Sequence, residues 1–531
     1  MKRYQLLLLS VLTGLLLFAA WPVSPYTFTI FFALVPVLIV ADITIKRNQF
    51  FIYIFTAFLL WNATTTWWIW NSTDIGSIAA IIANSLLMCL PWLGYYTFKR
   101  KYGKRSGYVA LVVFWMLFEY IHLNWQLSWP WLTLGNVFAS HPNWVQWYEY
   151  TGVSGGTLWI LLVNIAVKEA LQKTQERVNS QWSIVNSKSV AFAIGFIIIP
   201  FVISFYTQLM DIKKIVLTTT ANVLIIQPNI DPYQKYNSSS TAQQIQQLVA
   251  LSEQNIDSST KLILWPETAM SAQDWQEHIT ENTTYKPVFD FVNKYPRITI
   301  LSGIDTYKSY GLQKATATAH LAGNGTYYDA FNAAIAIKAA TPLQFYNKSK
   351  LVPGVESLPS FLNFLGPVFE KFGGSTGGYG KSDSAKVFAE KGNPYIAAPV
   401  ICYESIYGEY VASYVQRGAN IITIITNDGW WGNTPGHKQH LQYARLRAIE
   451  TRRWVARSAN TGISAVINDR GEILETKPWK QAAVIKYNIP TTNKETFYVA
   501  YGDYLYKIAA VLAALFIGWH LATLLIKRFV K

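Results

Sequence analysis

A thiol, a carboxylate and an amine each follow a short apolar run in the C-terminal half of this sequence. Cys402 ends Pro399-Val400-Ile401 and precedes Tyr403-Glu404-Ser405, so a strand stopping there presents its thiol at a sheet edge. Glu267 closes Leu264-Trp265-Pro266-Glu267 in the same manner, and Tyr346-Asn347-Lys348-Ser349-Lys350-Leu351-Val352-Pro353 offers a lysine before an apolar turn. A thiol with an ordinary pKa of about 8.5 is only a few per cent thiolate at neutral pH. A neighbouring carboxylate can take its proton, and a neighbouring ammonium favours the anion. The same ammonium can stabilise the oxyanion of a tetrahedral intermediate. Together these types could carry acyl transfer. Singly each has a plainer explanation, since a lone cysteine often packs as a small hydrophobe and lone Glu and Lys usually sit at the surface or in ion pairs.

Strands must position these groups. Val223–Gln227, Leu262–Trp265, Ile298–Ser302, Ala397–Cys402 and Ile421–Thr426 are β-branched or apolar and bounded by turn residues, and Ser464–Asn468 reads as another. His440–Ser458 has helical spacing with many arginines. The region 211–500 has mixed polarity and, at about 290 residues, is ample for one α/β domain.

The rest of the chain is not built for water. Of 531 residues 51% are apolar and 14% charged, against roughly 25% charged in soluble domains. The 81 aromatic residues, 21 Trp, 32 Tyr and 28 Phe, exclude disorder. Two cysteines, with Cys89 inside an apolar run, exclude a disulfide scaffold. Apolar stretches free of basic residues cover Gln5–Pro22, Thr27–Asp42, Phe50–Trp70, Ile75–Tyr96, Tyr108–Leu123, Thr157–Val167 and Val190–Met210, and Ile508–Ile526 adds an eighth. With the N-terminus inside, all thirteen Lys and Arg before residue 210 fall on the cytoplasmic side. The net charge of +15 therefore reads as membrane orientation, and nucleic acid is not an expected partner. Both termini are then cytoplasmic and 211–500 faces the other side. A cleaved secretory signal is the alternative for the first span alone.

In their order, Glu267, Lys348 and Cys402 resemble the Glu-Lys-Cys triad of the nitrilase superfamily. Thr426-Asn427-Asp428-Gly429-Trp430-Trp431-Gly432 and Gln439-His440 through Ala459-Asn460-Thr461-Gly462 continue the likeness. In the membrane half, Trp129-Pro130-Trp131-Leu132 with Leu134-Gly135-Asn136, Gly152-Val153-Ser154-Gly155-Gly156 and Ala33-Leu34-Val35-Pro36-Val37-Leu38 resemble the apolipoprotein N-acyltransferase family. The resemblance implies an αββα sandwich domain (211–500) carried on an eight-helix transmembrane bundle, with seven helices in 1–210 and the eighth in 501–531. It implies Glu267 as general base, Lys348 as oxyanion stabiliser and Cys402 as nucleophile, with Glu356 supporting the lysine and Glu404, Tyr403, Trp430 and Trp431 shaping the site. The implied partners are a phospholipid acyl donor, usually phosphatidylethanolamine, and a diacylglyceryl-cysteine lipoprotein acceptor. A monomer in the bacterial inner membrane with a periplasmic catalytic domain and no cofactor is expected. This chain departs from the family at Pro353-Gly354-Val355-Glu356, where many members read Pro-Phe-Gly-Glu, and at Trp431, where Phe is usual. The competing functions are a membrane-tethered amidase or nitrile hydrolase with the same triad, and a transporter or non-catalytic scaffold.

Four further signals stand outside that frame. Residues 357–372 are apolar enough to form either a core helix or an arm dipping into the outer leaflet. Gly373–Ser382 resembles a phosphate-binding loop but has Ser375 where the first required Gly belongs, so a hinge is expected. His437 and His440 lack further ligands to complete a metal set. Glu119, in an apolar span, is a functional candidate by default, or sits near that span's polar end.

Overall fold

The computed structural model describes residues 1–178, 187–212, 220–232, 241–358, 362 and 378–529. The chain divides into two compact units, one of Met1–Trp67, Ser77–Asp211 and Tyr501–Lys531, the other of Trp68–Gly76 and Ile212–Ala500.

In the first unit, seven helices among the described residues are long and apolar enough to cross a membrane, beginning with Arg3–Ala20 and ending with Tyr504–Lys527. The expected span Thr27–Asp42 is instead broken, with a tight turn at Thr27–Phe31 followed by the helix Val35–Ile43. The break frees backbone groups that hydrocarbon cannot satisfy. Buried Asn164 supplies the partners, accepting from Leu34 N at 2.8 Å and donating to Ile30 O at 2.8 Å. The short apolar stretch Thr157–Val167 belongs to a longer helical element, Tyr148–Val178, kinked at Gly152 (φ 60°). Here glycines are demanded by close approach. A Cβ on Gly135 would stand 2.0 Å from Val153 O, and one on Gly156 would stand 1.8 Å from the Tyr148 hydroxyl, so Leu134-Gly135-Asn136 packs directly on Gly152–Gly156.

Glu119 is buried in this unit and accepts four hydrogen bonds. The donors are Trp115 Nε1 (2.9 Å), Leu134 N (2.8 Å), Thr157 Oγ1 (2.7 Å) and Tyr506 OH (2.7 Å). Such a carboxylate ties three helices and the Trp129–Asn136 loop together, which accounts for a polar group at this depth without a transport role. Cys89 is buried and donates to Ser85 O at 3.2 Å, a packing residue.

The second unit holds two sheets. One runs Ala483–Pro490, Thr220–Gln227, Thr260–Leu264, Thr299–Ser309, Tyr327–Ile337, His320–Leu321, with Met270–Trp275 and Gln344–Asn347 joined to its middle strands. The other runs Ile473–Thr476, Ala465–Ile467, Val455–Ala459, Ile421–Thr426, Ile396–Ile401, Phe388–Ala389. Thr220–Gln227, Thr260–Leu264 and Thr299–Ser309 are mutually parallel, as are Ile396–Ile401, Ile421–Thr426 and Val455–Ala459. Strands buried on both faces read as continuous Val/Ile/Leu runs, which is why they were visible in the sequence. One core joins the sheets, with Val223, Ile225 and Leu264 packed in the same cluster as Val400, Ile422 and Ile424.

The expected helix His440–Ser458 is corrected. The helix runs Pro435–Thr451 and stops at Arg452, whose φ is +49°. Val455–Ala459 then forms a wholly buried strand. Arginines disguised it as helix surface, because Arg457 is a buried cation inside a sheet.

Candidate active site

The groups singled out in the sequence sit where strands end, the usual place for function in parallel α/β sheets. Cys402 follows Ile396–Ile401 with φ +49°, opening the short turn Cys402–Ile406. A non-glycine residue in that conformation costs of order 1–3 kcal/mol and persists only where its surroundings impose it. Glu267 follows Thr260–Leu264 through Trp265 and Pro266, and its turn lies on Gly303, where an added Cβ would stand 2.6 Å from Glu267 Cα. Lys348 follows Gln344–Asn347, held by its N–H to Asn332 O at 2.9 Å.

These ends converge on one buried cluster. Lys348 Nζ donates to Glu267 Oε1 at 3.1 Å and to Glu356 Oε1 at 2.7 Å, with the lysine side chain 1% exposed. The Cys402 thiol feels both charges, the Glu267 carboxylate and the Lys348 ammonium. Glu267 Oε2 accepts from Asn427 N at 3.0 Å. The departure at Pro353-Gly354-Val355-Glu356 is accommodated locally. Gly354 takes φ +81°, Glu356 N donates to Val352 O at 2.9 Å, and Val352 N donates back to Glu356 Oε2 at 2.8 Å.

The electrostatics follow from burial set against charge. Burial raises the Glu267 carboxyl, but Lys348 and its hydrogen bonds overcome this and hold it below the usual range. Burial disfavours the Lys348 ammonium, yet Glu267 and Glu356 push it well above a free lysine. Burial, then the Glu267 charge, push the Cys402 thiol well up, with Lys348 opposing. The resting site thus holds a neutral thiol beside an ionised carboxylate and an ammonium.

Glu404 links the two strand ends. Its Oε1 accepts from Tyr346 OH (2.5 Å), Ser349 N (2.7 Å) and Lys350 N (3.3 Å), and its Oε2 from Ile401 N (2.9 Å) and Tyr414 OH (3.3 Å). Residues flanking Lys348 and Cys402 therefore hang on one carboxylate. Tyr403 is buried, its ring edge-on to Tyr407 at 5.4 Å. Trp430 and Trp431 lie on the turn Asp428–Trp431, Trp430 half-exposed and Trp431 packed on Trp68 at 4.9 Å.

Asn332 was missed. Its Nδ2 donates to Glu267 Oε1 at 2.8 Å and to Glu356 Oε1 at 3.0 Å, bridging both carboxylates. The available signal was one amide within the apolar run Ala330-Phe331-Asn332-Ala333-Ala334. Among the described residues no group of three His, Cys, Asp or Glu is disposed to hold an ion. Most of 357–372, and 373–377 of the loop that follows, lie outside the described residues. The described end of that loop joins the site, with Tyr379 N donating to Glu356 O at 3.0 Å and Gly380 N to Ala330 O at 2.9 Å.

Residues 223–495 match the carbon-nitrogen hydrolase model, and residues 13–166 match the apolipoprotein N-acyltransferase N-terminal domain. The second unit accordingly has the nitrilase-like α/β fold. Among relatives, the apolipoprotein N-acyltransferase of Chlorobaculum tepidum is 31% identical over 516 residues, 93% of this chain and 92% of that one. Apolipoprotein N-acyltransferase 2 of Treponema denticola is 25% identical over 87% and 86% of the two chains. The Thermotoga maritima apolipoprotein N-acyltransferase is 23% identical over 96% and 92%. With both domain models in order along one chain and a relative above 30% identity across nearly its whole length, this protein belongs to the apolipoprotein N-acyltransferase family.

Proposed function

We propose that this protein transfers a fatty acyl chain from a phospholipid to the N-terminal amine of a diacylglyceryl-cysteine lipoprotein, through a thioester on Cys402. The observation that supports this best is the buried Glu267–Lys348 pair, 3.1 Å apart, whose two charges act on the Cys402 thiol. Because the thiol is held neutral, attack and proton transfer go together. Sγ bonds to the donor's ester carbonyl carbon while its proton passes to Glu267. The carbonyl π electrons move onto oxygen, where the Lys348 ammonium stabilises the anion. Collapse breaks the ester C–O bond and the leaving lysophospholipid oxygen takes the proton from Glu267. The lipoprotein amine then attacks the thioester, gives its proton to Glu267, and collapse expels the sulfur, which recovers that proton. Glu356 and Asn332 hold Lys348 and Glu267 in place, Glu404 holds the strand ends, and Tyr403, Trp430 and Trp431 shape the approach.

The same reading places the chain in the bacterial inner membrane as a monomer with eight crossings, Thr27–Ile43 being the short one, and with both termini cytoplasmic. The catalytic domain, an αββα sandwich, is periplasmic, and phosphatidylethanolamine is the expected donor. The positive-inside distribution of the thirteen N-terminal basic residues supports this orientation. The test is mass spectrometry of the purified chain after incubation with phosphatidylethanolamine vesicles. An acyl mass should appear on Cys402, disappear on adding a diacylated lipopeptide, and never form in Cys402→Ser. Release of free fatty acid or ammonia without lipopeptide acylation would instead indicate a hydrolase.

A further inference from the structure

Behind Cys402 lies a second buried polar cluster that the acyl-transfer steps leave unused. Asp428, His440, Arg457 and Ser405 are each at most 1% exposed. His440 Nδ1 lies 2.9 Å from Asp428 Oδ1 and 3.2 Å from Arg457 Nη2. Arg457 donates to Asp428 Oδ2 at 2.7 Å, and Thr426 Oγ1 donates to Oδ1 at 2.8 Å. Burial alone would neutralise Asp428, but Arg457 and His440 keep its carboxyl well below the usual range. The imidazole is therefore locked in rotation.

Its other nitrogen points at the nucleophile's own backbone. His440 Nε2 stands 3.2 Å from Cys402 O and 2.9 Å from Ser405 Oγ, and Ser405 Oγ donates to the same carbonyl at 2.7 Å. The Trp431 ring meets the imidazole edge-on at 5.5 Å. Cys402 has a left-handed φ of +49°, which local sterics oppose. Relaxing it would swing the carbonyl and the thiol together. The groups around that carbonyl, His440 Nε2 and Ser405 Oγ, thus set where Sγ sits.

We propose that His440 is a positioning residue for the nucleophile, anchored by Asp428 and Arg457 and acting on Cys402 through its carbonyl oxygen and Ser405. The proposal rests on reading Cys402 as the nucleophile. It makes a distinction that a purely structural role for His440 does not. Glutamine places its amide near the Nε2 position and can still serve the Cys402 carbonyl and Ser405. Asparagine reaches only the Nδ1 position and can serve Asp428 alone.

The experiment compares wild type, His440→Gln and His440→Asn in the full-length detergent-solubilised protein. One readout is the second-order rate of iodoacetamide alkylation at Cys402, and the other is kcat and KM for lipopeptide acylation. His440→Asn should lower kcat and shift the alkylation rate by about tenfold or more with KM little changed, as expected for a displaced reactive group. His440→Gln should recover most of both. Alkylation and kcat within twofold of wild type for both variants, or Asn outperforming Gln, would overturn the proposal. Should both variants fail to fold by thermal melting, Ser405→Ala decides: the same signature in smaller degree supports the relay, and unchanged kcat and alkylation refute it. Failure of the acyl-transfer reading is distinguishable, since wild type would then acquire no acyl mass while the alkylation comparison stayed readable.

Discussion

Replacing Glu404 by Gln changes one atom in the site's framework, and its cost can be worked from the contacts. Five donors converge on the two carboxylate oxygens, three on Oε1 and two on Oε2. An amide has one accepting oxygen, which will settle where three donors meet. Its NH2 then faces Ile401 N and the Tyr414 hydroxyl. The hydroxyl can turn and accept, but Ile401 N–H cannot, so a buried donor directly before Cys402 is orphaned at about 1–3 kcal/mol. The remaining bonds lose their charge assistance, which raises the total to about 3 kcal/mol. For a domain of this size that lowers Tm by roughly 6–12 °C. Because Ser349 and Ile401 flank the lysine and the thiol, kcat for lipopeptide acylation should fall together with Tm. Circular dichroism melting in detergent and an acylation assay measure both. A Tm within 2 °C of wild type, or a normal kcat in a clearly destabilised variant, would refute the claim that this carboxylate ties the two strand ends together.

Glu267→Gln should abolish acyl transfer yet make Cys402 easier to alkylate at alkaline pH, since the Glu267 charge is among the causes holding the thiol up; a slower alkylation would contradict that electrostatic account. In wild type, Glu267 sits below the usual carboxylate range, so its base form is lost only as pH falls through that lowered value. The acid limb of the kcat/KM profile should therefore lie below the ordinary glutamate value of about 4.3, and a limb above it would count against Glu267 as the base. Gly135→Ala puts a methyl 2.0 Å from Val153 O and should destabilise the membrane unit by about 1–3 kcal/mol, read as a lower melting temperature in detergent.

Much of the architecture was legible because its causes are local. Strands buried on both faces must be apolar from end to end, so Ile421–Thr426 appeared with its observed bounds. Helices in hydrocarbon must be long, apolar and flanked by charge. Where a local rule was overridden, the sequence misled. Thr27–Asp42 has the composition of one continuous apolar helix, yet it is broken in its middle, where Asn164, more than a hundred residues away, partners the freed backbone. Val455–Ala459 carries an arginine that Asp428 and the Ile463 carbonyl make tolerable in a core.

For the site, the sequence by itself determined which chemistry was available: one thiol outside the membrane spans, and a carboxylate and a lysine placed after strand-like runs. Backbone periodicity and residue type suffice for that. What only the tertiary structure decided is how those groups are charged and held. Whether Glu267 is ionised depends on burial set against Lys348, 81 residues along the chain and 3.1 Å away in space. Asn332 and His440 gain their places through contacts with residues that no periodicity connects to them, because electrostatics and hydrogen bonding act across distances in space and are blind to distance along the chain.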